Sequence, residues 1–465
     1  MKLPYELLSG ITAFIDGDIP ALYSCMLSCR ALHDAAIPLL YKRIHVSPPK
    51  IGLAWQVLED TPGRKPFATA RLPTHTSYVE EFTLDGYITK VRPSRQIPIP
   101  VVDKIPDTLT KWPNLRKVTI TPKSVTGSSV RNIIASLKNC KSLKSITVNG
   151  FAMTEECVSD LVALEGLETL VLHQSTGAFF LRICDWVEKI KNTLVTLNLM
   201  GDCGSLTPGI LRKLTPHLMH VHSLAIGLSY SLTNRDVFNC LGQLPELQSL
   251  RIQYYYQQSA LPDTPGLSSL RHLIVLHPVL TYKEDAEALS SWIRRLTSSS
   301  PLESLETIVP NYHGPNLCFD GLVTHLAHRH RTTLTSLWMP AVHLRSQALE
   351  SLLKNCSRIR HITLNISFNT LRSFPNMSNE SKYLKSVGFQ VCDHPHLIVD
   401  QMAAKKLFDR IPQLRKITVN WVTWKGEWVL GGCEGSASPE FIISLVQHAG
   451  VHSPSRSTLS KEKAC

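Results

Sequence analysis

The sequence predicts an α/β solenoid, with short parallel strands stacked along a concave face and helices along the convex one. Three observations predict it. First, a six-residue phrase, apolar-x-x-apolar-x-apolar, recurs from Val79/Phe82/Leu84 through Leu143/Ile146/Val148 to Leu414/Ile417/Val419, about every 28 residues, with a weaker copy at Leu305/Ile308. Second, helix-spaced apolar residues lie between the copies, as in Val130, Ile133, Ile134, Leu137 and Cys140, or Phe180, Ile183, Cys184, Val187 and Ile190. Third, two units carry nearly the same text: Leu137-Lys138-Asn139-Cys140 with Ile146-Thr147, and Leu353-Lys354-Asn355-Cys356 with Ile362-Thr363.

The end of each phrase alternates apolar and polar, which suits a short strand with one buried face. One strand and one helix cannot cover their own apolar sides. Stacked copies share a continuous core instead. On these residues the chain resembles the leucine-rich-repeat family over roughly residues 79–446, with repeats and a C-terminal cap expected across residues 79–450. The family's loop asparagine or cysteine is absent, its places taken by Phe151, Ser175, Asp202 and Tyr255.

Composition narrows the classes. In 465 residues, 43% hydrophobic and 18% charged content suits a folded chain. The 12 cysteines include no CxxC pair, so reduced thiols in a cytoplasmic or nuclear protein are expected rather than a metal cluster or disulfide framework. No apolar stretch approaches the roughly 18 residues of a membrane span, and the start lacks a secretory h-region. The Asn-x-Ser sequons at Asn365, Asn376 and Asn379 then read as chance, and Cys465 is no prenylation box. The net charge of +12 raises the question of nucleic acid. The outward strand positions answer it: Thr119, Thr147, Thr196, Asn198, Ser223 and Ser249 form no basic stripe, and Glu81 and Asp85 oppose the basic residues at the start.

Residues 1–46 differ from the repeats. Pro4 and Glu6 suit a helix start, and Leu7, Leu8, Ile11 and Ile15 form one stripe. Gly17 ends that helix and Asp18 caps the next, which has Pro20 in its first turn and Leu22, Cys25, Met26 and Cys29 as its stripe. Leu32, Ala35, Ala36, Leu39 and Leu40 make a third helix. Three short helices cannot hide so many apolar side chains, so the unit must lean on something.

The order Leu3-Pro4-x-Glu6-Leu7-Leu8-x-x-Ile11, Asp18-Ile19-x-x-Leu22-x-x-Cys25-x-Leu27-x-Cys29-Arg30 and Ala36-x-Pro38-Leu39-Leu40-Tyr41 resembles an F-box of the fungal type. The resemblance implies docking on a Skp adaptor, and through it a cullin scaffold and a ubiquitin-conjugating enzyme. By motif, Leu3, Pro4, Leu7, Leu8, Ile11, Leu22 and Leu27 would face the adaptor. Aliphatic burial at ~1.5–3 kcal/mol per side chain is comparable with association costs of ~4–15 kcal/mol. The alternative is a cap on a leucine-rich-repeat scaffold with no ligase link.

Residues 47–78 read as a connecting segment, with Pro48-Pro49, an apolar stretch from Ile51 to Leu58 and a breaker-rich loop from Thr61 to Pro66. The proline-rich stretch from Val91 to Pro113 is expected to be irregular. An unknown target protein would be read on the outward strand residues, with Arg251, Gln253, Tyr255, His272, Trp338, His361, Lys416 and Asn420 as candidates. Trp421, Trp424 and Trp428 flank Lys425-Gly426, which reads as a hairpin turn within an end cap, a target pocket being the alternative. Ile442, Leu445 and Val446 suggest a final helix, and residues 451–465 a disordered tail.

No phosphate loop, Gly-x-Ser-x-Gly elbow or His-Glu-x-x-His occurs. His325, His328 and His330 lack partners at ligand spacing and read as a solvated helix face rather than a zinc site. A non-catalytic receptor subunit without cofactor or metal is therefore expected.

Overall fold

The computed structural model describes residues 4–48, 64–88, 101–125, 129–175, 177–254, 256–257, 266–309, 317–378, 381–430 and 439–446. It divides into two compact units, Met1–Ile252 and Gln253–Cys465. Leu3, Tyr255 and the tail from residue 451 lie outside the described residues.

The first unit opens with α1 (Tyr5–Phe14), α2 (Ile19–Ser28) and α3 (Arg30–Lys42). Pro4 is the residue before α1, and Gly17 takes the left-handed turn between the first two helices. The Asp18 carboxylate accepts the Ala21 N–H at 3.0 Å, which satisfies one of the free donors at the start of α2. Without interruption α3 becomes the strand β1 (Arg43–Val46), parallel to β2 (Glu81–Ile88). The last residues of the predicted N-terminal unit are therefore already part of the sheet.

From β2 the pattern is strand, helix, strand. The strands β3 (Lys117–Val125), β4 (Ser145–Asn149), β5 (Thr169–His173), β6 (Thr196–Asp202), β7 (Ser223–Leu228) and β8 (Ser249–Gln253) pair in parallel in sequence order. The phrase sets the register: Phe82, Val118, Ile146, Leu170, Leu197, Leu224 and Leu250 align across the strands, and every one is buried. Each return also locks onto its predecessor in the same way. The N–H groups of Lys144 and Ser145 both donate to Arg116 O at 2.8 and 2.9 Å, and those of Glu168 and Thr169 to Lys144 O at 2.8 and 3.0 Å. A shared carbonyl of the same kind precedes each of β3 to β8, so the backbone sets where these strands start.

The second unit repeats the arrangement with β9 (His272–Leu276), β10 (Ser304–Ile308), β11 (Ser336–Leu344), β12 (His361–Ile366), β13 (Ser386–Val391) and β14 (Lys416–Val419). Both units are solenoids of the leucine-rich-repeat type. One expected phrase is shifted. Leu305 aligns with Leu273, and it is Thr307, opposite Val275, that points inward, while Ile308 faces out. The buried copy is Leu302/Leu305/Thr307.

Three further expectations are corrected. The segment expected to be irregular contains the helix α4 (Val101–Leu109), with Pro106 inside it and Ile105 and Leu109 fully buried. The expected turn at Lys425-Gly426 is the middle of β15 (Val422–Leu430), antiparallel to β14, and the reversal comes at Asn420 and Trp421. Gly426 is there for space: a Cβ would lie 2.3 Å from the Phe441 ring. The expected final helix is β16 (Pro439–Val446), antiparallel to β15.

Candidate docking surfaces

The N-terminal helices sort their apolar residues by face. α3 packs against both α1 and α2. Leu8, Thr12, Leu22, Ala35, Ala36 and Tyr41 are buried, Tyr41 with its ring 4.5 Å from that of His75. Leu8 and Leu22 were expected at an adaptor-facing surface; they are instead core residues, so no partner can reach them without the helices separating. Pro4, Leu7, Ile11 and Leu27 are exposed.

The motif also missed residues that share the exposed faces. Leu7, Ile11 and Phe14 recur at i, i+4 and i+7 on α1, and Ile19, Tyr23 and Leu27 at i, i+4 and i+8 on α2, so each set forms one stripe. All six are exposed, Phe14 to 93% and Leu27 to 72%. Helical spacing was the signal that would have found Phe14 and Tyr23. Two helices of 10 residues thus each carry an uncovered apolar stripe, while the ion pair Arg43–Asp16, at 2.6 Å, ties the loop after α1 to β1.

The outward strand face differs between the units. In the first, Thr83, Thr119 and Thr147 stand in register, followed by Val171, Asn198, Ala225 and Arg251. Two of its carboxylates have close partners: Glu81 lies 3.4 Å from Lys117 Nζ and Asp85 lies 3.1 Å from His45 Nε2. Burial raises the Asp85 pKa, but bonds from Ser47 and His45 and the nearby positive charges outweigh it and hold the group below its ordinary value.

In the second unit Trp338 is 37% exposed on β11, between Glu306 of β10 and Thr363 of β12. His361 and Lys416 are exposed at the starts of β12 and β14, separated by Ser386. Burial lowers the His361 pKa, helped by Lys385 and Arg360. Asn420 does not face outward as expected. It is buried with φ 50°, accepts the Val391 N–H at 2.8 Å and donates to His394 O and Leu397 O at 3.1 and 3.0 Å. Its side chain closes the last parallel turn. Trp424 is buried as well, donating its indole N–H to Val399 O at 2.9 Å, whereas Trp421 and Trp428 are exposed.

The histidine group is split. His328 is exposed, His325 half-buried and His330 buried, with the rings of His325 and His330 6.2 Å apart. No set of three or more His, Cys, Asp or Glu side chains able to hold a metal occurs among the described residues. The described cysteines are free thiols, and burial pushes Cys140 and Cys203 up to about 11 and Cys356 up to about 12, which makes them poor nucleophiles. Cys392 lies 3.6 Å from His343 Nδ1, but its thiol also bonds Ile366 O and burial raises it too. Among the described residues no helix is long and apolar enough to cross a membrane.

No protein-family model matches the sequence, and no curated protein matches it. Several solved structures resemble the chain, among them the following three. A chain of the Rad7–Elc1 complex of yeast matches with 15% identity and a TM-score of 0.40, over 70% of this chain and 82% of that one. A chain of the TLR13–ssRNA13 complex matches with 14% identity and a TM-score of 0.39, over 74% of this chain and 46% of that one. The leucine-rich-repeat-containing protein LegL7 from Legionella pneumophila matches with 13% identity and a TM-score of 0.38, over 72% and 97%.

Proposed function

We propose that the chain is the substrate-recognition subunit of an SCF-type ubiquitin ligase. The N-terminal helices dock as an F-box on a Skp adaptor, and through it a cullin scaffold, while the outward strand face holds a target protein. The chain performs no chemistry of its own; it raises the target's effective concentration beside the transfer enzyme. The observation that carries this reading is the pair of uncovered stripes, Leu7/Ile11/Phe14 and Ile19/Tyr23/Leu27, on helices whose other faces are packed. A cap for the repeats has no use for them. At ~1.5–3 kcal/mol per buried side chain, such a surface is sufficient for stable association.

A bare scaffold is the second reading, favoured by the continuity of α3 into β1, which makes the N-terminal helices a cover for the first strand. Co-purification with a Skp adaptor separates the two. Ile11→Asp with Leu27→Asp abolishes capture and leaves the melting transition in place if the ligase reading is right. A wild-type chain that never captures the adaptor supports the scaffold.

A further inference from the structure

On the strand face of the second unit, apolar and charged surface meet without internal compensation. By register, Ile274 of β9, Glu306 of β10 and Trp338 of β11 stand side by side, with Leu276 and Ile308 paired in the next outward row. The aliphatic residues and Glu306 are half-buried. Several other carboxylates along the strands and their starts pair with a cation: Glu81 with Lys117, Glu168 with Lys144 and Glu303 with Arg271. Among the described residues Glu306 has no ion pair or hydrogen bond.

The Trp338 indole N–H is likewise without an acceptor among the described residues, as is that of the exposed Trp428. The indoles of Trp112, Trp186 and Trp424 donate to Ala70 O, Leu164 O and Val399 O. Beyond Trp338 the row continues to Thr363 and Gly388. Gly388 offers no side chain, and a Cβ there would meet Thr363 Oγ1 at 2.8 Å. Thr363 thus packs over the buried Gly388, and the Trp338 side chain keeps 37% of its surface exposed.

A carboxylate unpaired among the described residues, next to a partly exposed aromatic ring, is complementary to a cation that can stack. A guanidinium suits it better than an ammonium, because it is planar, weakly hydrated and able to bond the carboxylate while lying on the ring. We infer that Glu306 and Trp338 recognise an arginine of an extended protein segment, whose adjacent apolar residue covers Ile274, Leu276 and Ile308. This rests on the reading that the repeats hold a target, and it names that target's chemistry as a basic-apolar segment.

The test offers the full chain synthetic peptides on one Ser/Thr/Leu background, differing at one position in Arg, citrulline, Lys or Glu, at about 150 mM salt. The arginine peptide should bind about tenfold or more tightly than the citrulline one. Glu306→Gln should erase that preference and Glu306→Lys should turn it toward the glutamate peptide. Trp338→Ala should weaken the arginine peptide about 3- to 30-fold. A wild-type chain that ignores the arginine peptide, treats it like citrulline, or keeps its preference in Glu306→Gln overturns the inference. Adaptor capture is read on the same preparations. Capture without peptide preference removes this inference alone, and preference without capture removes the ligase link alone.

Discussion

Leu7 and Leu8 are neighbours in the chain and opposites in environment: on α1 the first is 55% exposed and the second 8%. That contrast separates docking from folding. Leu7→Asp should leave the thermal transition within about 0.5 kcal/mol of wild type and sharply weaken adaptor capture. Leu8→Asp buries a charge and should cost about 3 kcal/mol or more of the N-terminal helices' stability, seen as early local melting or proteolysis near residue 8. Equal effects on folding would contradict the assignment of faces.

Asn420 holds the end of the parallel stack through three hydrogen bonds at a left-handed backbone position. Asn420→Ala should destabilise the second unit by about 2–4 kcal/mol in denaturant titrations, because it strands buried groups and adds backbone strain. Asn420→Gly removes the bonds but accepts the backbone, and should cost about 1 kcal/mol less than Ala.

Thr307 occupies a core place in the repeat phrase, and its hydroxyl has no partner among the described residues. Thr307→Val keeps the shape and removes that hydroxyl, so the denaturation midpoint should rise, by about 1 kcal/mol. A fall would mean that the hydroxyl is satisfied.

His330 gives the fold a pH dependence. Burial, then His325 and Arg329, push its pKa down to about 4, against a backbone bond with Ser300 that pulls the other way. The unfolded chain takes up a proton near pH 6.5 that the folded chain refuses. Stability is therefore intact above about pH 6.5 and is lost as the pH falls toward 4, by on the order of 2 kcal/mol between about pH 7.5 and 5. Burial lowers His277 and His325 as well, with the same sign. Denaturant titrations should show a shallower pH slope for His330→Gln.

The repeat phrase made the fold legible because its apolar positions from Val79 to Val419, all but Ile308, answer to a buried row. Where reading failed, two physical causes were in competition. Ile442, Leu445 and Val446 suit both a helix and a strand edge, and the pairing with β15 decides it. Gly426 has the look of a turn residue, yet its missing side chain serves the Phe441 ring. At Ile308 a register slip of one residue reverses inside and outside, and only the alignment with β9 fixes it. The candidate site was half legible. A stripe such as Leu7, Leu8 and Ile11 says that helices are amphipathic, but not which edge another helix will cover. Asn420 looked like one more outward polar residue because nothing in its spacing reveals a positive φ.

Hydrogen–deuterium exchange of the full chain, with and without a purified Skp adaptor, tests the central claim most directly. The account predicts slowed exchange in peptides covering α1 and α2, residues 5–28, with the outward strand face unchanged. Protection confined to the repeats, or none at saturating adaptor, would contradict it.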